Sequence, residues 1–106
     1  MQLELHTVSR NNLFDATAVY LDGIVTVKKG SRINLHHGDA FKPSDVVKEK
    51  LKDISLVDAN GILLRDVTFK SLSTAATFVA GRTSNGMITW KTPDGRYVRF
   101  TLKGDK

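Results

Sequence analysis

The 106-residue chain predicts a small single-domain α+β protein, a mostly antiparallel sheet of hairpins carrying two short helices. Three observations predict it. Asp22-Gly23 sits between two alternating segments and suits a two-residue hairpin turn. Ser44 and Ser71 or Ser73 start helical patterns, and Gly81 stands where a helix should stop. Thr92-Pro93-Asp94-Gly95 then marks a last turn between extended segments. Residues 1–103 read as the domain and 104–106 as a frayed end.

In chain order, Leu3, Leu5 and Val8 punctuate a polar segment and suggest an edge strand. Residues 16–21 and 24–28 form the first hairpin, with Tyr20 opposite Val25 and Ala18 opposite Val27. Residues 29–43 read as a connection. After Pro43, Ser44 is the N-cap of a helix, with Asp45 placed to favour the helix dipole. Val47, Leu51 and Ile54 form its narrow apolar stripe, and Lys48, Glu49, Lys50 and Lys52 its solvated face. Asn60-Gly61 is a second turn, and Val67-Thr68-Phe69 is extended. A short helix follows through Thr74–Val79, where Ala75 and Ala76 allow close packing on a sheet. The final hairpin pairs residues 86–91 with 96–103, turning Val98, Phe100 and Leu102 one way and Tyr97, Arg99, Thr101 and Lys103 the other.

Charge is unevenly placed. The chain has 16 Lys and Arg against 11 Asp and Glu, a formal charge of +5. Residues 1–80 hold 10 basic and 9 acidic side chains, whereas residues 81–106 hold 6 and 2. A positive segment of this kind suits a polyanion, most often nucleic acid; its plainer explanation is a solvated strand face that aids solubility.

Catalytic signatures are missing from the sequence. With no cysteine, disulfides, thiolate zinc sites, iron–sulfur clusters and thiol nucleophiles are excluded. Residues 81–86 match the glycine spacing of a P-loop, but Met87-Ile88 replaces its Lys-Ser/Thr. His36-His37 are adjacent on extended chain and point apart, which is poor geometry for one ion. The serines lack a nucleophile-elbow context, and Asp22, Asp58 and Asp94 occupy turn positions that account for them. No cofactor, metal or catalytic residue is expected. No apolar run approaches the roughly 20 residues of a bilayer span, and no basic start precedes an apolar core, so the expected location is the cytoplasm.

The segments Phe69-Lys70-Ser71-Leu72-Ser73-Thr74-Ala75-Ala76, Gly81-Arg82-Thr83-Ser84-Asn85-Gly86, Trp90-Lys91 and Asp94-Gly95 carry a family resemblance. Together with Val27-Lys28-Lys29-Gly30-Ser31, they resemble a small bacterial domain of unknown function often appended to GIY-YIG nucleases and restriction–modification proteins. That family is related to the RAMA (restriction enzyme and adenine methylase associated) domain. The resemblance spans roughly residues 14–102. Leu72 stands where the family pattern has Pro, and Met87 where it has Trp after Asn-Gly. A helix start tolerates the first change. The second removes an aromatic face.

The resemblance implies association with DNA modification or cleavage and no catalytic residue. Arg82, Ser84 and Asn85 would offer a guanidinium fork, a hydroxyl and an amide to a ligand, although a helix-to-strand turn with left-handed Asn and Gly also explains Ser84-Asn85-Gly86. Arg82, Lys91, Arg96 and Arg99 are the expected phosphate contacts, with Lys103 on the same strand face as Arg99. Lys28, Lys29 and Arg32 form a second candidate cluster, and Asn85, Trp90 or Tyr97 would lie nearer a base. Trp90 in a strand is also an ordinary core residue. The function expected is non-enzymatic nucleic-acid binding, with DNA as the partner. The alternative is a module that docks a nuclease or methylase.

Overall fold

A computed structural model describes residues 2–35, 43–82 and 84–98. Four strands, β1 (Gln2–Val8), β2 (Asp15–Leu21), β3 (Ile24–Val27) and β4 (Val67–Phe69), form one antiparallel sheet in the order β1-β2-β3-β4. Helix α1 (Asp45–Lys52) falls in the β3–β4 connection, and α2 (Leu72–Ala80) follows β4. The α+β architecture with two short helices is therefore observed.

The first hairpin has the predicted register: Tyr20 opposes Val25, Ala18 opposes Val27, Val19 opposes Thr26 and Leu21 opposes Ile24. Asp22 and Gly23 have φ of 51° and 84°, as a tight turn with two left-handed positions requires. Period-2 alternation puts Leu5, Ala18, Val25, Val27, Val67 and Phe69 on the buried face. Val8 falls on the opposite face and is 55% exposed, so the inward set of β1 ends with Thr7 rather than Val8.

Helix α2 covers that buried face. Ser71 Oγ accepts the Thr74 N–H at 3.0 Å, and Gly81 closes the helix at φ 73°. Ala75 and Ala76 are wholly buried, and Phe78 meets Phe69 with ring centroids 5.1 Å apart. Helix α1 contributes less. It ends at Lys52, and Ile54 lies beyond it in solvent, so the apolar stripe is carried by Val47 and Leu51. Ser44 holds the N-cap position without a side-chain hydrogen bond.

Residues 31–34, within the segment expected to be a simple connection, run through the interior. Asp15 and Arg32 exchange backbone hydrogen bonds, the Ile33 N–H donates to Gly61 O, and the Asn34 N–H donates to Val79 O. These bonds tie β2, the Asn60-Gly61 turn and α2 together. Strand periodicity has nothing to register in such a segment, because its partners are three separate elements.

The last hairpin is shorter than expected. Gly86–Ile88 is a 3-10 turn, not a strand. Lys91 and Tyr97 form a bridge, the Thr92 N–H donates to Arg96 O, and the Val98 N–H donates to Trp90 O. Val98 is helical, not extended as expected, and residues 99–103, predicted as the rest of the final strand, lie outside the described residues. Among the described residues no helix is long and apolar enough to cross a membrane.

Candidate nucleic-acid interface

The segments most informative in the sequence prove to be architecture. Gly86 approaches the start of α2 so closely that an added Cβ would sit 2.2 Å from the Leu72 carbonyl carbon. Its N–H donates to Ser73 Oγ at 3.0 Å, and the Trp90 indole N–H donates to Leu72 O at 3.1 Å. Asn85 Oδ1 accepts the Met87 N–H and caps the 3-10 turn. Asn85 has φ −87° and Gly86 is not among the left-handed glycines, so the turn needs glycine for close approach and not for a left-handed backbone. Ser73, Gly86 and Trp90 thus lock the 3-10 turn against α2, while Ser71 caps the helix and Asn85 caps the turn.

Trp90 is accordingly corrected from candidate base contact to core: its side chain is 0% exposed. The apolar body is packed and the indole N–H is paired, which leaves no ring face for a ligand. Tyr97, 40% exposed, is the surface aromatic residue in this segment.

The predicted cations separate into two groups. Lys28 Nζ pairs with Asp66 Oδ2 at 2.9 Å while the Lys29 N–H donates to Asp66 Oδ1 at 2.7 Å. These bonds, the backbone one first, hold the Asp66 carboxyl below its ordinary value. Arg32 Nη2 donates to Asn12 O at 2.8 Å and to Asn12 Oδ1 at 2.6 Å. Arg96 lies 3.6 Å from Asp94. These side chains are engaged within the domain.

Arg82 and Lys91 are different. Among the described residues neither pairs with a carboxylate, and both line one groove of about 550 Å³ together with Tyr97. One wall is the segment after α2, where Gly81 turns the chain and Arg82 projects outward. Ser84 steadies it by donating to Arg82 O at 2.9 Å, while its own N–H donates to Thr77 Oγ1. Lys91 is fixed by a pair of 2.8 Å backbone hydrogen bonds with His6 of β1, and its Nζ stands 5.2 Å over the Tyr97 ring.

The opposite wall is the β1–β2 loop, residues 9–14, which brings Arg10 and Asn11 to the same groove. Ser9 Oγ accepts the Leu13 and Phe14 N–H groups, and Arg32 clamps Asn12, so the loop is held at both ends. Arg10 carries no signal in the sequence, because residues 1–80 are nearly balanced in charge. The groove has no Asp or Glu among its described lining residues. Three cations without a carboxylate partner among the described residues give the groove a positive potential suited to phosphate. Lys28, Lys29, Arg32 and Arg96 are absent from its lining, and Arg99 and Lys103 lie outside the described residues.

Among the described residues no group of three or more His, Cys, Asp or Glu could hold a metal ion. Comparison with known families matches residues 7–101 to a domain of unknown function, DUF4357. No curated protein and no solved structure matches the chain.

Proposed function

The chain belongs to the DUF4357 family, and from that premise we propose that it is a non-enzymatic accessory domain that binds nucleic acid, with DNA the intended polymer, through the Arg10–Arg82–Lys91 groove. One observation carries the proposal: three cations from separate elements converge on one groove whose described lining has no carboxylate. Each is free to neutralise a phosphate and release its counterion. The resemblance to domains appended to nucleases and restriction–modification proteins supplies the context, a cytoplasmic system that modifies or cleaves DNA.

The test is titration of labelled DNA at several salt concentrations. Three phosphate contacts call for a log–log slope of roughly −2 to −3. Arg10→Glu and Arg82→Glu should each weaken binding and flatten that slope by about one. Absence of binding at low salt would end the proposal. Unchanged affinity in both variants would remove the groove and leave a basic surface elsewhere.

A further inference from the structure

We infer that the groove seats unstacked nucleobases, so that its ligand is single-stranded rather than duplex nucleic acid; this rests on the nucleic-acid reading above. Cations alone would not distinguish the two. The groove also gathers Val8, Leu13, Ile88 and Tyr97, which are 55%, 41%, 45% and 40% exposed. They are four of the nine large apolar side chains that stand in solvent among the described residues. Scattered exposed apolar groups are ordinary, but a cluster within one groove marks a surface meant to be covered.

The chemistry of the cover follows from what each polymer presents. A duplex shows phosphates and base edges and hides its base faces in the stack. It would satisfy Arg10, Arg82 and Lys91 and leave the apolar residues wet. A single strand offers base faces and phosphates in alternation, matching an apolar strip bordered by cations. Lys91 Nζ, 5.2 Å over the Tyr97 ring, brings the two chemistries together. A base lying against Tyr97 and Ile88 puts its flanking phosphate beside that ammonium. Asn11, exposed on the opposite wall, offers an amide donor and acceptor to a base edge.

The experiment measures anisotropy of the full chain with labelled oligothymidylate, an abasic strand of equal length and a duplex of equal length. The base-bearing strand should bind about tenfold tighter than the abasic strand. Tyr97→Ala should remove that margin, weakening base-bearing binding more than abasic binding, while Tyr97→Phe should preserve it. Ile88→Ser, with the ring intact, should reduce it as well and carries the test where Tyr97→Ala fails to fold. Equal affinity for base-bearing and abasic strands, or tighter duplex binding, overturns the base seat while sparing the cationic groove. Failure of every probe at low salt overturns both. A polyglutamate peptide bound as tightly as oligothymidylate overturns the inference in favour of an acidic polypeptide.

Discussion

Replacing Gly86 with alanine tests whether the Ser73–Gly86–Trp90 contact is what holds the 3-10 turn to α2. The new Cβ would lie 2.2 Å from Leu72 C, 2.4 Å from Leu72 O and 2.4 Å from Ser73 N. All three are backbone atoms at the start of a packed helix, so no side-chain rotation relieves the clash. Overpacking of this kind costs about 1–3 kcal/mol. Withdrawal of the 3-10 turn also pulls the Trp90 indole N–H from Leu72 O, and an unpaired buried donor costs about 1–3 kcal/mol more.

A total near 4 kcal/mol is a large share of the roughly 5–15 kcal/mol that stabilises a domain of this size. With an unfolding entropy of about 0.22 kcal/mol/K for this length, melting should fall by roughly 10–25 °C. Thermal unfolding followed by circular dichroism measures it. Gly95→Ala is the control: Gly95 has φ 86° and nothing within 4 Å of an added Cβ. It bears only a left-handed backbone cost of about 1–2 kcal/mol, or about 5–10 °C. If Gly86→Ala loses no more than Gly95→Ala, the close approach does not hold the two elements together.

Trp90→Phe should destabilise by about 2–4 kcal/mol in urea, from a void and the lost indole hydrogen bond to Leu72 O, and change nucleic-acid affinity little while the chain stays folded; a folded variant with lost binding would return Trp90 to the interface. Arg32→Ala releases Asn12 and should weaken binding through Arg10 without changing the salt slope. A slope reduced by one would mean that Arg32 itself contacts phosphate. Asp66 titrates below its ordinary value of 3.8, so its contribution is complete above that value and is lost as pH falls through the lower folded value. The stability gap between wild type and Asp66→Asn should thus be flat from about pH 7 to about pH 5 and narrow near pH 3, in urea melts. A gap that widens on acidification would reverse the assigned direction.

Local chemistry made much of the fold legible. Asp22-Gly23 fixed a register because two left-handed positions admit few residues, and Ser71 and Gly81 bounded α2 because caps are short-range. What remained hidden depends on distant partners. Nothing local tells that Ile33 will bond Gly61 or that Asn34 will bond Val79. The segment 86–88 reads as a strand in sequence because its need for glycine arises from a contact with Leu72, fourteen residues back, which no turn pattern encodes. For the site, Arg82, Lys91 and Tyr97 were visible in the basic C-terminal quarter. Arg10 was not, since the β1–β2 loop joins them only through the tertiary fold.

The division of the groove's cations and exposed apolar groups between residues 8–13 and 82–97 would couple a ligand to chain closure. Neither wall alone presents the complete set of cations and apolar groups, so an unfolded chain offers a ligand only fragments of the site. Under the proposed function, occupancy favours the folded state by mass action: free ligand at a hundred times its Kd adds about 2.7 kcal/mol, or about 12 °C in melting temperature. The domain thereby becomes its own detector, and a melting screen across oligonucleotides and acidic peptides ranks ligands directly, whatever pathway the domain serves.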